Sequence, residues 1–276
     1  MRSPRRPARH LLAAVLLATA LLAPRAAPAA DAAAPEWHLR FADDFDTDVP
    51  RGSFTDCDHH PDTPRAYCGG LTGAMREDWW AYPEGWPDTA TQRGLPVGGH
   101  YDPATTLSVS HGKLHIRLWR GRTGGVHSAT VVPKKLMGMR YGRYEERWRV
   151  SHVSAGYKSA HLLWPVAKGG CAEIDFPELE WNATVAGFAH PAGCGRQFAV
   201  DTGARWSRWH TSVIEWRPGD LRFHLDGEQV GRTTREVPGA PMTWDIQNES
   251  ALNGERAAPG SWSRLDIDHV RGWSRD

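Results

Sequence analysis

The sequence predicts an all-β fold of two antiparallel sheets packed face to face, and three observations carry that prediction. Short runs alternate apolar and polar residues with period two, clusters of Gly, Pro and Asp separate them, and no long segment has a helical period. In 113–118, Leu114, Ile116 and Leu118 share one face while Lys113, His115 and Arg117 share the other. In 143–150, Tyr144, Trp148 and Val150 oppose Arg143, Arg147 and Arg149. The 221–225 run alternates too and enters Asp226-Gly227, a pair suited to a two-residue hairpin turn. Further strands are expected over 160–164, 209–216, 242–247 and 265–273. Residues 51–103, rich in Pro, Gly and Asp, read as loops, and Trp79, Trp80 and Trp86 argue that these loops are ordered. No linker or repeat interrupts 37–273, so 36–276 reads as one domain.

The first 29 residues read as a secretory leader. Arg2, Arg5, Arg6 and Arg9 form a basic head, 11–23 is apolar, and Ala27, Pro28 and Ala29 offer small residues for cleavage. The apolar run is too short for a stable membrane span. Arg5-Arg6 raises the twin-arginine route, but the apolar pair expected after it is missing, which favours general secretion. Residues 30–35 form a short Ala/Pro tether. The chain of 276 residues has a formal charge of +1; removing the five leader arginines, with no acid before Asp31, leaves −4. That balance disfavours nucleic acid and anionic membrane surfaces as partners. A secreted, soluble monomer is expected.

Four cysteines in an exported chain suggest two disulfides. Three pairings exist; the nearest-neighbour one, Cys57–Cys68 and Cys171–Cys194, is preferred. A metal site from Cys57, His59, His60 and Cys68 is the rival, disfavoured by the oxidising compartment and the lack of paired C-x-x-C spacing. No metal ligands are assigned.

The chemistry concentrates in Glu-Ile-Asp-Phe-Pro-Glu-Leu-Glu over 173–180. On a regular strand Glu173 and Asp175 share a face, while Glu178 has the opposite parity and would enter the core, which a carboxylate avoids. One extra residue between Asp175 and Glu178, a β-bulge, restores Glu178 and Glu180 to the face of Glu173. Pro177 fits such a site, and Ile174 and Phe176 then point inward. Crowded acids drive their pKa values apart, leaving one carboxyl neutral as an acid and another ionised as a nucleophile, as glycoside cleavage requires. A calcium site or a solvated acidic face is the alternative, but calcium loops use turns and backbone carbonyls rather than strand spacing.

This hexapeptide resembles the Glu-x-Asp-x-x-Glu signature of glycoside hydrolase family 16 in its bulged form. The resemblance extends along the chain through 41–45, 101–103, 112–116, the Tyr-Gly-Arg-Tyr-Glu-Glu-Arg stretch at 141–147, the 209–216 and 223–227 strands, and 267–271. It implies a concanavalin A-like β-jelly-roll with a concave cleft and a double displacement retaining anomeric configuration. Glu173 would be the nucleophile, Asp175 its assistant and Glu178 the acid/base. The bulged form goes more often with laminarinase-like and galactan-cleaving members. The sequence departs from the pattern at Pro177, at the added acid Glu180, and over 168–172, where many members place a Trp.

The expected substrate is an internal β-linkage of a polysaccharide, foremost a β-1,3- or β-1,3/1,4-glucan. Alternatives are a lectin-like binding module, a transglycosylase and a galactan hydrolase. Sugar C–H faces stack on aromatic rings, which makes Trp79, Trp80, Tyr82 and Trp86 cleft candidates, with core packing as the competing role. Trp148 and Trp216 are assigned to neither face. The resemblance places His190 where a histidine often faces sugar. Arg93, Gln247 and Glu180 complete the candidate sugar-binding set. No Gly-x-Ser-x-Gly elbow supports a serine hydrolase. No cofactor is expected, though relatives carry a structural Ca²⁺ on the convex side.

Overall fold

The computed structural model describes residues 37–59, 66–96, 98–167 and 170–275. The leader and tether expected over 1–35 therefore lie outside the described residues. Sixteen strands, three short α-helices and one 3₁₀ turn (Lys134–Leu136) occur among them. The chain begins with β1 (Trp37–Asp43), α1 (Gly73–Asp78), β2 (Trp79–Ala81), α2 (Thr89–Gln92), β3 (Gly99–Tyr101), α3 (Pro103–Thr106) and β4 (Leu107–Val109). It continues with β5 (Leu114–Arg120), β6 (Val126–Pro133), β7 (Gly142–His152), β8 (Tyr157–Pro165), β9 (Glu173–Glu180) and β10 (Thr184–His190). The last six are β11 (Phe198–Arg205), β12 (His210–Arg217), β13 (Asp220–Leu225), β14 (Glu228–Thr233), β15 (Met242–Ser250) and β16 (Trp262–Arg275).

The strands form the expected two-layer antiparallel jelly-roll sandwich. One layer runs β11-β10-β9-β8-β15-β6 and the other β5-β16-β7-β12-β13-β14. β6 joins them: its first residues pair with Trp119 and Arg120 of β5, and its middle pairs with β15. The exception to antiparallel pairing is β3, which lies parallel to β6.

Alternation becomes burial as the sequence implies. Leu114, Ile116 and Leu118 of β5 and Tyr144, Trp148 and Val150 of β7 are buried. Trp148 and Trp216 both point inward. Across the layers Phe176 of β9 stacks on Phe223 of β13 at 4.9 Å, and Tyr144 of β7 meets Trp244 of β15 edge-on at 5.4 Å. The β13–β14 hairpin turns on Asp226 and Gly227 with φ of 53° and 87°, and Leu225 pairs with Glu228. Positive φ at both positions is what makes Asp-Gly the favoured pair there.

The 51–103 region is more ordered than its composition implies. β2 pairs with β6, and its three residues are all buried, so it has no period-two signal to read. α2 starts at Asp88, whose carboxylate accepts from the backbone N–H groups of Thr91 and Gly99 at 3.0 and 2.9 Å. The inner space also holds polar groups. His161 Nδ1 lies 2.6 Å from Glu146 Oε1, both fully buried, and Asn248 accepts from Ser159 at 2.6 Å. Such groups persist in a core only when paired.

Cys57 bonds to Cys68 and Cys171 to Cys194, the preferred pairing. With both cysteines of the 57–68 segment bonded to each other, neither remains as a metal thiolate; His60 lies outside the described residues.

Candidate active site

The site grows from a mismatch in strand lengths. Asp175 lies opposite Leu162 of β8 and Phe188 of β10, whereas Glu178 lies opposite Ala160 and Ala186. Three steps along β9 therefore match two steps along each neighbour. This is the one-residue bulge that the parity of the acids demands, and Pro177 lies inside it. Leu179 completes the slip at φ 121°, a conformation that side-chain-bearing residues seldom adopt. Ile174 and Phe176 are buried in the core, so Glu173, Asp175 and Glu178 face the other way.

A cavity of about 300 Å³ lies over this face, lined by the three acids together with Lys158, His190, Arg93, Gln247 and Glu249, among others. The ladder sets the rows. Gln247 of β15, Ala160 of β8 and Glu178 lie across from one another, and Glu249, Lys158 and Glu180 form the next aligned row. His190, at the end of β10, is registered with Glu173. Arg93 caps the C-terminal end of α2, and Thr89 N–H donates to Glu249 at 2.9 Å, fixing that helix to β15. A second cavity, of about 720 Å³, shares His190 and Gln197 with the first and continues past the 191–197 loop. The Cys171–Cys194 bond ties that loop to the chain two residues before Glu173.

Asp175 is 1% exposed, and its Oδ2 has no hydrogen-bond partner. Burial, then the charges of Glu173 and Glu178, hold its pKa well above the ordinary carboxylate range. Glu173 is also raised, by burial first, but its hydrogen bond with Asp175 and the nearness of His190 and Lys158 oppose the rise. Asp175 is raised further than Glu173, so a proton held by the pair favours Asp175. Glu178 makes a 2.9 Å ion pair with Lys158, itself buried. Burial opposes the charge on Lys158, yet the Glu178 and Glu249 carboxylates outweigh it and raise its pKa. Glu173, Asp175 and His190 offer atoms that all lie within 4.8 Å of one another, with His190 Nε2 3.6 Å from Asp175 Oδ2.

The candidate sugar-binding residues divide. Arg93, His190 and Gln247 line the acid cavity. Trp79 and Trp80 do not: they are 1% and 0% exposed, which corrects their reading as cleft walls. Trp79 packs on Phe41 and Phe45 and donates its indole N–H to Asp43 at 2.7 Å, and Trp80 donates to the Asp58 carbonyl at 3.0 Å. Tyr82 and Trp86 are half-buried in an edge-on aromatic cluster with Tyr101, and the Tyr82 hydroxyl donates to Asp245 at 3.1 Å. Glu180 shares the face of the acids but is buried outside the cavity lining. Its carboxylate accepts the backbone N–H groups of Leu252 and Asn253, both at 3.2 Å, and so clamps the loop after β15.

Three residues outside the sequence-based set belong with the site. Lys158 and Glu249 flank the acids, and a lone lysine in the otherwise mostly apolar 157–165 strand is the signal that could have found the first. Trp164 is one rung past the Leu163–Ile174 pair, has the parity of Lys158, Ala160 and Leu162, and is 48% exposed. It is an exposed aromatic on this face, outside the cavity lining that holds the partly buried Phe188.

No family model matches the sequence. A β-glucanase of Acetivibrio thermocellus is 30% identical over 143 residues, 49% of this chain and 42% of that protein. The chain thus matches well under half the length of that curated relative. Among solved structures, the catalytic domain of an endo-1,3-β-glucanase (laminarinase) from Thermotoga petrophila superposes with a TM-score of 0.62 at 18% identity, over 88% of this chain and 100% of that one. The Bacillus licheniformis β-glucanase gives 0.62 at 15% identity, over 87% and 99%. A non-specific endo-β-1,3(4)-glucanase of family GH16 gives 0.62 at 18%, over 88% and 94%. The fold of this chain is the fold of the family 16 β-glucanases, the family its acid motif resembles.

Proposed function

We propose that the chain is a retaining endo-glycosidase of family 16 that cleaves internal β-linkages of a β-1,3- or β-1,3/1,4-glucan. The observation that supports this most strongly is the register slip in β9, which turns Glu173, Asp175 and Glu178 toward one cavity. In the first step the Glu173 carboxylate attacks the anomeric carbon while Glu178 gives its proton to the departing glycosidic oxygen. A glycosyl ester on Glu173 results. In the second step Glu178 takes a proton from water, the water oxygen bonds to the anomeric carbon, and the Glu173 carboxylate leaves.

Asp175 hydrogen-bonds Glu173, which favours the ionised nucleophile against the cost of burial. Lys158 balances the carboxylate that Glu178 becomes once its proton has gone. The three acids sit in mutual repulsion, an arrangement that a binding module does not need and an acid–nucleophile pair does. Two disulfides, and the relatives' glucanase activities, are consistent with action on polysaccharide after export.

The test is reducing-end release from laminarin and from mixed-linkage β-glucan by wild type and Glu173→Gln. The variant is expected to lose about 10³-fold or more in rate, as removal of a covalent nucleophile does. Equal rates for the two proteins would remove Glu173 from the reaction.

A further inference from the structure

The outer face of the second sheet carries a cavity of about 510 Å³ that the hydrolytic chemistry leaves without a task. Its origin is the alternation of β4 and β5. Leu107, Val109, Leu114, Ile116 and Leu118 point into the core, so Ser108, His115 and Arg117 point outward. β16 places Arg264 directly opposite Arg117 and adds Trp262. Arg51, Ser110 and His111 complete the lining, and no carboxylate belongs to it.

The charges are unbalanced. Asp266 is buried beside the cavity and is already shared, lying 2.7 Å from His115 Nδ1, 3.0 Å from Arg264 and 3.6 Å from Arg149. Among the described residues, Arg51 and Arg117 have no acidic partner within ion-pair distance. Arg117 is held in place by Trp262, its guanidinium carbon 4.9 Å from the ring centroid, and His152 stacks on the same indole at 3.7 Å. Burial, then the nearby Arg51 charge, lower the pKa of Arg117, which is the mark of two cations kept together without a counter-ion. Other outward arginines differ: Arg143, Arg147, Arg217, Arg222, Arg232 and Arg271 each pair with a carboxylate. What sets this pocket apart is that Arg51, Arg117 and Arg264 share one lining that holds no carboxylate. A nucleic acid needs an extended basic stripe, whereas a pocket suits a single anionic group.

We propose that this cavity binds an oxyanion carried on a polysaccharide, a sulfate ester or a carboxylate, clamped by Arg51 and Arg117 with the Ser108 hydroxyl as a further donor. Planar guanidinium forks match such groups. A polymer seated there contacts the sheet that does not carry the acids, so the catalytic cleft stays open while the enzyme is held on its material.

The experiment is equilibrium binding of fluorescent dextran sulfate and of polygalacturonate to the whole protein, with neutral dextran, inorganic phosphate and duplex DNA in parallel. The proteins are wild type, Arg51→Ala and the double variant Arg51→Ala/Arg117→Gln. Arg51 is exposed and Gln keeps the stem of Arg117, so both variants should retain the wild-type melting temperature and rate on neutral glucan. At least one anionic polymer is expected to bind wild type, more weakly as salt rises, and to lose about tenfold or more in affinity in the double variant. Which polymer binds identifies the sulfate or the carboxylate. Binding of neither polymer above neutral dextran, or equal affinity for wild type and double variant, would overturn the proposal. So would duplex DNA or phosphate binding in the same variant-dependent way with the polymers inactive.

Discussion

Asp175→Asn should stabilise the protein at neutral pH while slowing it. The folded carboxyl keeps its proton far above its ordinary value of 3.8, because burial and the Glu173 and Glu178 charges penalise ionisation. Above pH 3.8 the unfolded chain releases that proton while the folded chain retains it. Wild-type stability therefore falls by about 1.4 kcal/mol per pH unit until the folded group ionises. An amide has no such proton to lose. With its nitrogen in place of the oxygen that bonds Glu173 it also keeps a donor for that carboxylate, and Oδ2, which has no partner, stays an oxygen. A domain of this size moves about 2–4 °C in Tm per kcal/mol. The variant should gain about 3–5 °C on wild type for each pH unit climbed, starting near pH 4 and levelling off. Calorimetric melting of both proteins from pH 3.5 to 7.5 reads this directly. A Tm difference that stays flat across the range, or that turns against the variant as pH rises, would refute the reasoning.

Gly187 of β10 lies where the Phe176–Phe223 stack passes: a Cβ there would come within 2.8 Å of Phe176 and 2.9 Å of Phe223. Gly187→Ala should cost about 1–3 kcal/mol by overpacking, visible as a lower denaturant midpoint. Replacing Cys171 and Cys194 together by Ser opens a loop of sequence separation 23. That change should cost about 3 kcal/mol in chemical denaturation, and it should raise KM because the loop after His190 is released. Trp164→Ala should leave Tm within about 1 °C, since the ring is half exposed, and raise KM up to about tenfold, the worth of one aromatic stacking contact. An unchanged KM would remove Trp164 from the cleft.

Much of this was legible in the sequence because burial on one face leaves a period. The 113–118 and 143–150 alternations, the Asp226-Gly227 hairpin and the nearest-neighbour disulfides all appear as read. The bulge was legible for a sharper reason: Glu178 has the wrong parity for a charged group on a regular strand, and one extra residue is the least change that corrects it. What escaped was whatever lacks a period. β2 is buried on every side, so Trp79 and Trp80 carried no sign of which way they point and proved to be core. Glu180 has the parity of Glu178 and shares its face, yet two backbone N–H groups of a loop some seventy residues away take up its charge, a contact that local sequence cannot reveal. Lys158, Glu249 and Trp164 became part of the site only once the β15–β8–β9 register was known.

The stereochemistry of the first product tests the account most directly. Two successive displacements at one carbon, the first by Glu173, must return the original configuration. Proton NMR during hydrolysis of a β-glucan oligosaccharide should show the β-anomer of the new reducing end first, with the α-anomer appearing only through mutarotation. The α-anomer arriving first would mean a single displacement by water, and Glu173 would then have no covalent role.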